Sequence, residues 1–219
     1  MEKTKKKLNP AWTIILWTFI LSLTYAILRY NIIGSVPWKD LPFYILNKGN
    51  ALSAFILLTI NFSLGPLKKL GIRIPGPWLK SRKILGIMGF LQVFIHVIMS
   101  FILLKPSIYE KFFTADGSLT LFTGLNLLGG ITAFIFLWIY NISFNMELRK
   151  DKDLIRFITS RNVTLFAIFM AGAHLFFMGF EGWLKPEGWQ GGLPPISLIG
   201  FIFFSAGFII NVLGRADTE

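Results

Sequence analysis

The sequence predicts an all-α integral membrane protein, a six-transmembrane-helix bundle with both termini cytoplasmic. Three observations predict it: the composition, six long apolar stretches, and the way Lys and Arg are shared between the segments that join them. Of the 219 residues, 54% are hydrophobic, 16% aromatic and 15% charged, where a soluble domain carries about 25% charged residues. Mean hydropathy is +0.63. A water-soluble chain of this length has too small an interior for so much apolar surface. A disordered chain needs low hydrophobicity, so that class is excluded as well. The net charge of +11 would point to nucleic acid in a soluble protein. In an apolar chain it is read against the membrane, where basic residues gather in cytoplasmic loops, and no nucleic-acid partner is expected. There is no Cys, which excludes disulfides, zinc–thiolate sites, iron–sulfur clusters and c-type haem attachment.

A crossing of about 30 Å of hydrocarbon takes about 20 mostly apolar residues. Six stretches qualify: 11–33, 51–70, 84–104, 121–144, 163–183 and 196–213. The first follows MEKTKKKLNP. It is too long for a signal-peptide core and lacks a small-residue cleavage site, so it reads as a retained helix. The second and third are joined by GIRIPGPWLK, a turn-rich connector. The third and fourth are joined by an outer loop with few basic residues. The segment 145–162 between the fourth and fifth is charged and expected to be partly helical. The loop 181–195, before the sixth, is rich in Gly and Pro and repeats Glu-Gly-Trp at 181–183 and 187–189. None of the six alternates with period two, which excludes a β-barrel. Trp12, Trp38, Trp78, Trp183 and Trp189 fall near the expected interfaces, as an aromatic belt does. A single domain is expected over 1–219, with no P-loop and no G-x-G-x-x-G, and with too few residues after 213 for a soluble domain.

Orientation follows from charge. One set of segments holds Lys3, Lys5, Lys6 and Lys7, then Lys68, Lys69, Arg73, Lys80, Arg82 and Lys83, then Arg149, Lys150, Lys152, Arg156 and Arg161, and finally Arg215. The other set holds Lys39, Lys48, Lys105, Lys111 and Lys185. The bias puts the first set inside, in a multi-pass protein of the cell (inner) membrane.

The only two histidines, His96 and His174, lie inside the third and fifth spans. An imidazole in hydrocarbon is costly and marks a functional hypothesis. The two spans enter from the same side. The histidines come at matched depth, about 17–18 Å from the cytoplasmic ends at 1.5 Å per residue. Two imidazoles at one depth on different helices can clamp a haem iron axially. Gly89 and Gln92 precede His96 on the same face, and Ser100 follows it. Ala167 and Met170 precede His174. Small residues there would let a macrocycle approach the backbone, and they equally serve ordinary helix packing in lipid. The other reading of each His is a hydrogen bond to a neighbouring helix.

At these residues the chain resembles the ferric reductase-like transmembrane domain family. SAFILLTINFSLGPLKKLG followed by SRKILGIMGFLQVFIHVIMSF is similar to it: a basic cytoplasmic turn, R-x-x-L-G at Arg82, Leu85 and Gly86, then His96 higher in the third span. Arg161 with His174 repeats the arrangement in the fifth. The resemblance covers 51–183. The family includes the single-haem metalloreductases, the haem-binding membrane subunit of the methionine sulfoxide reductase system and the NADPH oxidase core. Members with two haems carry a second His 13 or 14 residues from the first. Here those positions hold Arg82 or Lys83, Ser160 or Arg161, Tyr109 or Glu110, and Glu187 or Gly188, so the single-haem members are the closer match.

The resemblance implies one b-type haem on His96 and His174. Electrons would pass from a cytoplasmic-side flavoprotein or quinol to an outer acceptor, a ferric chelate or a periplasmic or extracellular partner protein. Arg82 and Arg161 are then expected to lie near a flavin (FMN or FAD) or quinone head group. The other reading of these arginines is positive-inside topology over anionic lipid. Gln92, one turn before His96, would by its position orient a ring nitrogen, cap the pocket or bond across helices. Arg29, with Lys48 and Lys105, would meet the haem propionates, Arg29 best because guanidinium pairs well with carboxylate; otherwise it snorkels to the headgroups. Glu181 and Glu187 stand outside as solvated carboxylates or a transient metal site. The alternative function is a non-catalytic transporter or assembly subunit with a structural or proton-linked His pair.

Overall fold

Prolines and small polar caps decide where the helices begin. In the computed structural model, which describes residues 9–145 and 147–214, α1 spans Pro10–Ile27. Pro10 fills the first turn, and the Asn9 side chain accepts from the Ala11 N–H at 3.0 Å. This is the pairing that spares an N-terminal turn its orphan donors. α2 is Leu46–Lys69, and α3 is Gly76–Leu103 with Pro77 in its first turn. α4 is Leu121–Ile142, with Thr120 accepting from the Thr123 N–H at 3.2 Å. The short α5, Lys152–Ile158, is capped by Asp151, α6 is Arg161–Trp183, capped by Ser160, and α7 is Ile196–Leu213 behind Pro195. Six helical stretches are long and apolar enough to cross a membrane. Side chains such as Trp17, Leu21 and Trp138 are exposed on their outer faces, as lipid contact requires.

Two stretches begin well before the hydropathy signal. Helical winding in the second runs from Trp38, through a wide π-turn over Leu41–Ile45 that accommodates Pro42. Its early residues, Asn47, Lys48 and Asn50, lower the hydropathy but belong to the interior. Asn50 Nδ2 donates to the Gln92 carbonyl at 2.7 Å, and Asn47 Nδ2 donates to Ser100 Oγ at 3.1 Å. α3 starts at Gly76, so Lys80, Arg82 and Lys83 sit on helix. There Ser81 is fully buried and donates to both Asn9 Oδ1 and the Pro77 carbonyl, each at 2.8 Å.

α2 packs against α1, α3 and α7. α4 packs closely on α6, α6 on α7, and α3 only lightly on α4. The circuit α2–α3–α4–α6–α7 therefore closes around a central space, with α1 bracing α2 and α3 from outside. One end of the bundle gathers Asn9, Pro66, Arg82 and Gly214. It carries most of the basic residues and is called the basic end below. The opposite end gathers Arg29, Tyr44, Tyr109 and Gln190. There a narrow turn at Gly117 (φ +84°) joins Phe113 to Leu119 in an isolated antiparallel bridge. Asp116 accepts from Thr114 and Ser118 in this turn, and those bonds hold its carboxyl below the usual carboxylate range.

The α1–α2 crossing depends on one glycine. A methyl group added at Gly49 would lie 2.9 Å from Leu23 Cα, a backbone atom that has no way to yield, whereas one at Gly124 in α4 meets nothing within 4 Å. Gly49→Ala is expected to destabilise the bundle by about 1–3 kcal/mol. Gly124→Ala should leave stability unchanged or slightly higher. Thermal unfolding of both variants in detergent, followed by circular dichroism, checks the pair.

Candidate functional site

The central space is a cavity of about 1120 Å³, larger than the roughly 300–1,000 Å³ of ordinary ligand pockets. Its walls are mostly apolar. Ala51 and Ala54 of α2, Gly130 of α4, Ala167 and Ala171 of α6 and Gly200 of α7 keep them thin. His96 enters from α3 and His174 from α6, and their ring centroids are 6.3 Å apart with the planes at 73°. A metal–imidazole bond is about 2 Å, and the ring centre lies roughly 1 Å behind the nitrogen. Two imidazoles opposed on one ion therefore have centres about 6 Å apart.

Each ring is held by its Nδ1. His96 Nδ1 lies 2.7 Å from Asn47 Oδ1, with Ser100 Oγ at 3.4 Å. Asn47 Nδ2 is engaged with Ser100, so its oxygen faces the ring and accepts. His174 Nδ1 lies 3.1 Å from the Asn126 backbone carbonyl, which can only accept. Both rings therefore carry their proton on Nδ1, and Nε2 of each is left with its lone pair. Metal-ligating histidines are oriented in this way, by a donated bond from the other nitrogen. Among the described residues no three His, Cys, Asp or Glu side chains come together. Two nitrogens are too few to cage a bare ion; they suit an ion whose remaining positions are filled by a macrocycle.

The approach of α4 to His174 rests on the Gly129–Gly130 pair, which the sequence reading passed over. A methyl at Gly129 would lie 2.9 Å from the His174 backbone nitrogen, and one at Gly130 would lie 2.7 Å from His174 Nδ1. Asn47 also went unrecognised, since it lay outside the stretch read as the second span. An Asn flanking a hydrophobic run four residues before Ala51 was its only signal.

The other expected site residues are dispersed. Gly89 faces α2, where a methyl would meet Leu58 Cδ2 at 2.9 Å, and it does not line the cavity. Gln92 is buried, and its backbone carbonyl accepts from Asn50 while its Oε1 has no partner among the described residues. It too stands outside the cavity lining. Arg82 reaches back over Gly65 to donate to the Asn61 carbonyl at 3.3 Å. Arg161 opens α6 at the basic end. Arg29 is buried at the opposite end and lines the cavity. Its Nε donates to the Leu193 and Pro194 carbonyls at 3.2 and 3.0 Å, and its Nη1 donates to Gln190 Oε1 at 3.0 Å. It pins the 190–194 loop to the π-turn Leu28–Ile32 that follows α1 rather than snorkelling outward. Glu181 lines the cavity, and Glu187 does not.

The cavity continues past the histidines toward the basic end, between Thr59, Phe62, Phe204 and Asn211. Asn211 is fully buried and donates to the Gly207 carbonyl at 2.8 Å. Its Oδ1, like that of Asn126, has no donor among the described residues. Toward the opposite end the lining becomes aromatic and cationic. Burial, with Tyr44 and Tyr30 beside it, pushes the Tyr109 hydroxyl above its ordinary value, so it stands as a neutral donor.

The fold and the site define a multi-pass membrane protein with six long helices, five of which (α2, α3, α4, α6 and α7) surround a histidine-bearing cavity. No family model matches the chain, and no curated protein matches it.

The Asn47 contact makes a prediction that needs no ligand. In the unaltered protein the ¹⁵N shifts of both histidines should report the Nδ1–H tautomer. Asn47→Leu should move His96 toward a mixture of tautomers and leave His174 unchanged. If His96 is already a mixture in the unaltered protein, the donor assignment is wrong.

Proposed function

We propose that this chain is a membrane electron-transfer protein that holds one b-type haem between His96 and His174. It would relay electrons from a flavoprotein or quinol at its basic, cytoplasmic end to an acceptor at the other, a ferric chelate or a partner reductase. One observation carries the reading: two imidazoles from different helices meet across an apolar cavity at the separation a shared metal needs. Each is fixed by its Nδ1 so that Nε2 is the nitrogen left to ligate. The resemblance to the ferric reductase-like family, carried by Arg82, Leu85, Gly86 and His96, points the same way.

When bound, a haem held by the two imidazoles would supply reversible one-electron transfer. The chain does the rest. Asn47 and the Asn126 carbonyl hold the two rings and raise the basicity of Nε2. The alanines of α2 and α6 would leave room for a flat group against the backbone, while Gly130 gives its space to the His174 ring. The apolar walls would keep water from the bound group, and imidazole ligation in a dry surround would tune its potential. The prolongation toward Asn211 supports a donor ligand on the basic side, since unpartnered carbonyl oxygens accept from a hydroxyl or ring N–H. Arg82 and Arg161 stand at that end, outside the cavity lining.

The purified protein is expected to show a sharp low-spin b-type spectrum on dithionite reduction, with about one haem per chain by pyridine haemochrome, as bis-histidine ligation implies. His96→Ala and His174→Ala should each lose it. A colourless protein after expression with ample haem, or full retention in both variants, overturns the reading. It would favour a transporter or assembly subunit whose histidines only tie α3 to α2 and α6 to α4.

Orientation has its own test, and the absence of Cys makes it clean. In intact cells a membrane-impermeant maleimide should label Lys185→Cys and not Lys150→Cys, and lysis should expose the second. The reverse pattern would put the basic end outside.

A further inference from the structure

The end of the cavity away from the basic residues has a charge pattern that holding an iron does not require. Its lining contains the cations Arg29, Lys48, Lys111 and Lys185 against a single carboxylate, Glu181. None of the four cations forms an ion pair among the described residues. Arg29 has its donors engaged by the 190–194 loop. Lys48 is held differently. Its Nζ stands over three tyrosine rings, 4.4 Å from the centroid of Tyr44, 5.0 Å from Tyr30 and 5.5 Å from Tyr109. Aromatic faces steady a cation but accept none of its three N–H bonds in the usual sense. The ammonium is thus positioned and its donors remain available. Tyr109 stacks on Phe112 at 5.0 Å, and Lys111 Nζ lies 5.2 Å from the Phe112 centroid. The Tyr109–Phe112 stack therefore carries a cation at each end. Lys48 also directly follows Asn47, the residue that holds His96.

We propose that Lys48, with Lys111, forms a carboxylate-binding site at the mouth of the cavity, beside the His96–His174 pair. Two sources share this chemistry. One is the pair of acid side chains of the macrocycle itself, in which case the inference rests on the haem reading. The other is a free polycarboxylate, such as the chelator of a ferric ion arriving from outside, which requires no haem in the chain. Either carboxylate meets a pre-placed positive charge walled by rings that thin the water around it, and there a charge-assisted hydrogen bond is strongest.

The test titrates full-length protein in detergent, unaltered and Lys48→Met, with ferric protoporphyrin IX, with its dimethyl ester, and with citrate. The porphyrins are read by Soret absorbance and citrate by calorimetry. If the macrocycle supplies the carboxylates, Lys48→Met should weaken protoporphyrin binding about tenfold or more, while the ester binds both proteins alike. If a free polycarboxylate is the ligand, citrate should bind the unaltered protein and be lost in Lys48→Met, with protoporphyrin affinity unchanged. Lys48→Arg keeps the charge and should retain binding in either case. Lys111→Met carries the same comparison if Lys48→Met fails to fold. Equal affinities for protoporphyrin and for citrate in the unaltered and methionine proteins overturn the proposal. An unaltered protein that takes no protoporphyrin overturns the electron-transfer reading instead, and the citrate titration then decides the carboxylate site.

Discussion

Two close helix pairings, α2 on α3 and α4 on α6, set the distance between the two imidazoles, and the rest of the site depends on that distance. Each pairing is tight because small residues let side chains of one helix settle on the backbone of the other. Gly89 admits Leu58 at the first, and Gly129 and Gly130 admit the His174 segment at the second. α3 and α4 touch only lightly. The two pairs therefore close around a space instead of collapsing on it, and α7 completes the wall by packing on both α2 and α6.

Apolar surroundings explain why the histidines are so firmly held. Inside a bilayer a polar group has no water to fall back on and must be satisfied by protein. His96 uses a side-chain oxygen from α2, and His174 uses a backbone oxygen from α4. These bonds tie the helices of each pair together, and the same bonds decide which nitrogen keeps its lone pair. Structural and functional readings of an intramembrane histidine are thus not rivals here, because one hydrogen bond serves both.

The two ends of the cavity differ in chemistry. Toward the basic end its lining is mostly apolar, with Asn211 Oδ1 left without a donor among the described residues. Toward the other end its lining turns to tyrosines and to cations that form no ion pair among the described residues. The proposed relay would need such an asymmetry, since its donor and acceptor would arrive from different phases and be recognised by different groups.

The sequence by itself determined the class of protein and the number of crossings. Apolar runs of 20 residues and the scarcity of charge admit no other solvent than lipid, and those properties are carried by composition and order alone. It also picked out His96 and His174, because an imidazole in such a run stands out without any neighbour being known. It misjudged where helices begin. Asn47, Lys48 and Asn50 read as loop by hydropathy and are helical, since their partners lie on α3 and in the tyrosine cluster. Only the tertiary structure decided which residues share the cavity. Gly89 and Gln92 sit on the helix that bears His96 but turn to α2, whereas Asn47, Gly130 and Lys111 are remote in sequence and converge on the site. Arg29, a cation at the right depth, spends its donors on a loop more than 160 residues away. The physical reason is common to all of these: a helix presents each side chain to one azimuth, and which neighbour occupies that azimuth is a property of the packed bundle and not of the chain.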